Sequence, residues 1–141
     1  SNAILIYLAK KYNNFLSDKY YFEIIQWLMF QSSQVGPLLG QAHQFLYYNP
    51  GQSAFAEKKY INYSKRIYKT LDKRLNNKKY LVHDYSIADI ATWPWIARHE
   101  WHDIGLINYN HLSRWYIEIS KRPAVVNGFK FMDKNLEIPL P

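Results

Sequence analysis

The sequence contains no cysteine. That absence excludes disulfide staples, thiolate metal sites and a cysteine nucleophile, and with them several classes of enzyme. Long apolar runs are missing as well. Nothing approaches the roughly 18 residues that span a bilayer, and the first residues lack the basic, apolar and small-residue regions of a secretory signal. The expectation is a soluble, cytoplasmic protein with no membrane role. Glycine is scarce, at 5 residues, and forms no phosphate-cradling loop. No serine, histidine and acid combination carries the local signature of a catalytic triad, no segment alternates like a strand, and nothing recurs at a fixed spacing.

What is present points to one folded unit. A chain of 141 residues with 48% hydrophobic and 18% aromatic residues can bury a substantial core. The formal charge of +7 invites a nucleic-acid reading, but the basic residues come in dispersed pairs, Lys58-Lys59, Lys65-Arg66, Lys73-Arg74 and Lys78-Lys79. A solvated helix face accounts for that pattern first, attraction of small anions second and nucleic acid last.

Apolar spacing predicts a helical bundle. Ile4 to Lys11 reads as the end of a helix with Ile4, Tyr7 and Leu8 on one face, broken at Asn13-Asn14. Ser17-Asp18 can cap a second helix that carries Phe22, Ile25, Trp27, Leu28 and Met29 and reaches about Gln34. Gly36-Pro37 should bend or break it before the pattern resumes and ends near Tyr48. After the Asn49 to Ser53 loop comes the clearest amphipathic stretch, with Tyr60, Ile61, Ser64, Ile67, Tyr68, Leu71 and Leu75 on one face and Lys58, Asn62, Lys65, Lys69 and Lys73 on the other. Ser86-Ile87-Ala88-Asp89 spells a capping box with aspartate in the return position, and Tyr85 is placed to staple onto Ile90. Pro94 should kink the helix that follows. Asn110 to Lys121 and Ala124 to Lys130 complete the set, leaving Leu136 to Pro141 as an irregular tail.

In order and spacing these segments resemble one family, the C-terminal helical domain of glutathione transferases. The resemblance rests on Tyr85-Ser86-Ile87-Ala88-Asp89-Ile90-Ala91-Thr92-Trp93-Pro94-Trp95 and on Arg122-Pro123-Ala124-Val125. Gln26-Trp27-Leu28-Met29-Phe30-Gln31, Gly36-Pro37-Leu38-Leu39-Gly40-Gln41, His43 and Phe45 are similar to the bacterial Nu class. The fold implied is all-α. The function implied is that of a glutathione-dependent disulfide-bond oxidoreductase more than a conjugating transferase, with glutathione as cosubstrate, a small-molecule electrophile or disulfide as substrate, and a homodimer as the assembly. In such enzymes a thioredoxin-like domain holds most of the tripeptide and supplies the thiol-activating group. Residues 1–14 resemble only the last helix of that domain, and residues 15–141 the helical domain. The expectation is a chain that supplies a dimer contact and one wall of the substrate cleft, is inactive alone, and self-associates through the apolar surface the missing domain would cover.

The resemblance also assigns candidate residues. Ser1 falls where the family grips the γ-glutamyl group, although Ser1-Asn2-Ala3 is also the remnant some expression tags leave. Lys59 stands where Nu-class proteins often carry an arginine reaching glutathione in the neighbouring subunit, and lysine cannot form that residue's bidentate fork. Tyr60 can add a hydroxyl there. Gln31, Gln34, Gln41, His43 and Phe45 lie on the interrupted helix that faces the cleft, with Phe30 and Trp95 as further apolar wall. Ser86 and Asp89 are read as structural, and no catalytic residue is assigned to this chain. His99-Glu100-Trp101-His102 spaces its histidines three apart and not four, so no metal site is expected there. His83 and His111 fall in predicted loops. A second reading is a non-catalytic helical module for protein interaction or RNA association, which basic charge favours modestly.

Overall fold

The computed structural model describes residues 1–131 and 133–141, and among these every regular element is helical. Helix α1 (Asn2–Tyr12) ends where Asn13 adopts the left-handed conformation at φ 50° and returns its N–H to the Ala9 and Lys10 carbonyls. The next helix, α2 (Tyr21–Phe30), starts three residues later than its Ser17-Asp18 signal. Those two residues form a turn instead, their backbone carbonyls accepting from Tyr20 and Tyr21 at 3.2 and 3.4 Å, and neither side chain caps the helix.

No break follows at Gly36-Pro37. A π-helical turn over Gln31–Val35 widens the coil, α3 (Gly36–Ala42) carries on, and a second π stretch over His43–Tyr48 ends the run. The wide turn answers the proline, whose ring would press on the carbonyl one turn back and whose nitrogen cannot donate. Ile24, Leu28, Gln31, Val35, Leu39 and Ala42 form the buried stripe of this run. Phe22 and Met29, expected inward, stand 84% and 48% exposed because the stripe passes between them and the core.

Helix α4 (Ala54–Leu75) is capped by the Ser53 hydroxyl, which accepts from Ala56 N–H at 3.2 Å, and buries Ala56, Ser64, Ile67, Tyr68, Leu71 and Leu75. Its Asp72 reaches across to α6 (Asn110–Ser120), accepting the orphan N–H groups of His111 and Leu112 at 2.8 and 2.9 Å. His111 therefore belongs to the first turn of α6, a cap from another helix being invisible to local sequence. Leu112, Trp115, Tyr116 and Ile119 bury the inner face of α6, and α7 (Pro123–Phe129) starts at the proline that α6 cannot include.

The middle of the molecule is α5 (Ile87–Ile96), which packs on α1, α2 and α6 and continues through Pro94. The capping box closes at its start. Ser86 Oγ accepts from Ala88 N–H at 3.3 Å, and Asp89 Oδ2 accepts from Ser86 N–H at 3.0 Å and from its hydroxyl at 3.2 Å. The other carboxylate oxygen accepts from Leu81 N–H at 2.9 Å and Trp115 Nε1 at 2.8 Å. One buried side chain thus ties the entry of α5 to the loop before it and to α6.

Candidate functional site

An open groove of about 820 Å³ runs along the outer side of α5. Ser1, Asn2, Ile4 and Leu5 of the α1 edge form one bank, and Gln31, Ser32, Gly36 and Pro37 of the π turn and α3 form the other. Ile90, Ala91, Pro94 and Trp95 of α5 make the floor. Asn2 locks the two banks, its Nδ2 donating to Leu28 O and to Gln31 Oε1, both at 3.0 Å. Gly36 allows Trp95 in: a Cβ there would stand 3.3 Å from Trp95 Cζ2 and 3.3 Å from Gln31 Nε2. The glycine serves close approach here, since its own φ of −56° suits any residue.

Of the residues the sequence nominates, Ser1, Gln31 and Trp95 meet on this groove. Ser1 is exposed, and Gln31 is 8% exposed with its carbonyl oxygen already engaged by Asn2. Phe45, Tyr60 and Lys59 gather elsewhere. The rings of Phe45 and Tyr60 stack at 5.5 Å and 5°, and Lys59 Nζ lies 5.8 Å over the Tyr60 ring and 5.8 Å over Phe55. Gln34 receives Arg66 at 3.5 Å, and Gln41 is exposed to solvent. None of these residues lines the groove, and Lys59 and Tyr60 stand on a separate helix, α4.

His43 has a different neighbourhood from the one its position suggests. Its Nε2 lies 2.8 Å from His102 Nε2, and His102 Nδ1 lies 2.6 Å from the hydroxyl of buried Tyr68. The imidazole of His43 stacks on Trp95 at 5.9 Å and meets Trp101 edge-on at 5.1 Å. Burial, aided by the Arg98 charge, holds His43 down at about 4, and burial with the two neighbouring imidazoles holds His102 down at about 3. Both rings are neutral at neutral pH, so a single N–H bridges them while Tyr68, pushed well above its ordinary value by burial, keeps its proton. This chain joins the second π stretch, the 3₁₀ turn at His99–His102 and α4 behind the groove wall. The two histidines are 59 positions apart, so no local motif announces the pair. Trp95 is nominated from the resemblance, whereas Gly36 could be found only as a glycine in a helical run.

Asp89 is fully buried and has no solvent face for a ligand. Desolvation pushes its carboxyl up, while the donors from Leu81, Trp115 and Ser86 pull it the other way. Among the described residues no group of three or more metal-ligating side chains converges, and no helix is long and apolar enough to cross a membrane.

Comparison with known proteins gives the lineage. Residues 35–123 match the glutathione S-transferase C-terminal domain family. The chain is 40% identical over 127 residues to the disulfide-bond oxidoreductase YfcG of Escherichia coli, covering 88% of this chain and 59% of that protein. It is 34% identical over 140 residues to the disulfide-bond oxidoreductase YghU of the same organism, covering 91% of this chain and 48% of that one. A Burkholderia graminis glutathione transferase, crystallised with two glutathione molecules per subunit, superposes with a TM-score of 0.87 at 31% identity over 94% of this chain and 60% of its own. A Pseudomonas putida glutathione transferase, with one glutathione disulfide per subunit, gives 0.83 at 34% identity over 89% and 59%. This chain thus spans about half to three fifths of these relatives' length and belongs to the glutathione S-transferase C-terminal domain family.

Proposed function

We propose that this chain is the helical domain of a glutathione-dependent disulfide-bond oxidoreductase. In this reading residues 1–14 are the last helix of a thioredoxin-like domain whose remainder completes the site. The observation that carries the proposal is the groove itself. It is open, its floor is apolar, and it brings Ser1 and Gln31 together from opposite ends of the first 31 residues. Ile4, on its α1 bank, is 63% exposed and Tyr7 on the same helix is 61% exposed, an apolar face of the kind that packs on a partner. Similarity to YfcG and YghU supports the reaction class.

Glutathione would supply the reactive thiol when bound. The part left to this chain is holding and walling. The Ser1 hydroxyl is free to hydrogen-bond the γ-glutamyl end, and Trp95 and Ile90 keep water from one side of the cleft. Lys59, exposed beside Tyr60 and Phe45, offers a positive charge to the carboxylates of glutathione held by a second subunit of a homodimer. A disulfide is the substrate class, and a cytoplasmic setting, where glutathione is kept reduced, goes with it.

The test is turnover of a small disulfide, bis(2-hydroxyethyl) disulfide, with glutathione, measured for this chain alone and joined to the thioredoxin-like domain. The joined protein should reduce the disulfide and the chain alone should not. In the joined protein, Lys59→Ala should raise KM for glutathione by roughly three- to tenfold with kcat little changed, as loss of a rim charge does. Substantial turnover by the 141 residues alone would overturn the proposal.

A further inference from the structure

Little in the groove itself fixes the tilt of the Trp95 indole on its floor. The six-membered ring lies against Gly36 and Gly40, where a Cβ would stand 3.3 and 3.8 Å away, and glycines admit a ring without gripping its edges. Among the described residues the indole N–H has no hydrogen-bond partner, whereas Trp93 Nε1 donates to Tyr116 O at 3.1 Å and Trp115 Nε1 to Asp89 at 2.8 Å. What lies over Trp95 is the His43 imidazole, 5.9 Å away and inclined by 22°.

The plane of His43 is set in turn by a directional chain. The His43 and His102 rings lie within 6° of one plane orientation, with centroids 4.9 Å and Nε2 atoms 2.8 Å apart, so they meet tip to tip through an N–H···N bond. The chain has one sense. Tyr68 is fully buried, and among the described residues its hydroxyl has only His102 Nδ1 as a partner, at 2.6 Å. Its O–H therefore donates there, His102 keeps its proton on Nε2 and donates to His43 Nε2, and His43 keeps its own on Nδ1. The opposite sense would leave the Tyr68 proton buried without an acceptor. Hydrogen bonds fix angles that apolar packing leaves loose, so α4 orients His43 through His102, and His43 orients Trp95. We propose that Tyr68, His102 and His43 are positioning residues, which hold the Trp95 indole at the angle that makes the groove floor a wall for the disulfide. The effect on turnover rests on the oxidoreductase reading, and the effect on Trp95 does not.

Tyr68→Phe is the informative substitution. The aromatic partners of Tyr68 are His102 and Tyr109, and its hydroxyl reaches Trp95 only through the two histidines. Tyr116→Phe is the control, since it removes a hydroxyl from another buried tyrosine, bonded to Pro139 O at 2.7 Å outside the chain. Fluorine NMR of the protein labelled with 5-fluorotryptophan reads the indoles one by one, and Trp95→Phe identifies the Trp95 resonance. Tyr68→Phe and His43→Gln should each move that resonance and leave the one from Trp115 in place. In the protein joined to the thioredoxin-like domain, both should raise KM for bis(2-hydroxyethyl) disulfide by roughly three- to tenfold, with kcat and KM for glutathione within about twofold. Tyr116→Phe should do neither. If the joined protein reduces no disulfide, the oxidoreductase reading falls and the Trp95 resonance alone decides the positioning role. A Trp95 resonance unmoved by Tyr68→Phe, or moved as far by Tyr116→Phe, defeats the proposal, as does an unchanged KM in a joined protein that turns over.

Discussion

Replacement of Asp89 by alanine should come close to unfolding the protein. The side chain is 0% exposed and accepts from Leu81 N–H, Trp115 Nε1–H, Ser86 N–H and the Ser86 hydroxyl. Removing the acceptor leaves these donors buried without a partner, at about 1 to 3 kcal/mol each. Part of that is returned, because the variant no longer buries a charge that desolvation already disfavours. The net cost should be about 3 to 5 kcal/mol, within the range found when one member of a buried charged network is deleted. Against a typical stability of about 5 to 15 kcal/mol that is a large fraction. Asp89→Asn keeps an acceptor for Leu81 and Trp115 but turns an amide toward Ser86 N–H, so it should cost about 1 to 3 kcal/mol. Ser86→Ala loses one cap and should cost about 1 kcal/mol. Urea unfolding followed by tryptophan fluorescence gives all three values. A loss under about 1 kcal/mol for Asp89→Ala, or a larger loss for Ser86→Ala than for Asp89→Ala, would show that the Asp89 carboxylate does not hold these donors together.

Acid should destabilise the protein through the paired histidines. Unfolded, each titrates near 6.5, whereas in the folded chain His43 and His102 wait until about 4 and about 3. Between those values the unfolded state holds more protons, so the contribution is complete above pH 6.5 and is lost as pH falls toward 4, with at most about 1.4 kcal/mol per pH unit for each ring and less for half-exposed His43. Urea midpoints at pH 7, 6 and 5 check this, and the slope should flatten in His102→Gln. Gly36→Ala should destabilise by about 1 kcal/mol and shift Trp95 fluorescence, since its Cβ lands 3.3 Å from that ring, whereas Gly40→Ala meets Trp95 at 3.8 Å and should stabilise by about 0.5 to 1 kcal/mol. Thermal unfolding of the two variants should move in opposite directions. Sedimentation at increasing concentration should reveal self-association, as Ile4, Tyr7 and Phe22 are 63%, 61% and 84% exposed, and a strictly monomeric profile would contradict it. Single-stranded RNA should bind weakly in a filter assay, because the exposed lysines of α4 are spread along its length, and tight, salt-sensitive binding would favour the interaction-module reading.

The elements most readable from sequence are those with local causes. Ser86 and Asp89 sit three residues apart, and their backbone partners are each other's, so the start of α5 is written in one short segment. The stripe on α4 and the one on α6 follow from 3.6-residue spacing alone. What was not readable has distant causes. The π turn at Gln31–Val35 depends on how a helix absorbs Pro37 while Trp95 packs against Gly36, a contact between residues on separate helices. Phe22 and Met29 look like core residues by type, and only the observed path of the stripe shows them outside it. The candidate site divides the same way. Ser1 and Gln31 come together because Asn2 clamps α1 to α2, and neither spacing nor composition carries that contact. His43 is nominated by its place on the helix, but the structure gives it His102, from the 3₁₀ turn that follows α5, as partner.

In the proposed role these helices wall a glutathione site without holding the tripeptide themselves. Glutathione is titrated calorimetrically into the chain and into the same chain joined to a thioredoxin-like domain. No binding tighter than about 1 mM is expected for the chain alone, with a gain of at least about tenfold on joining that Ser1→Ala reduces again. Equal binding of glutathione by both proteins would rule that role out.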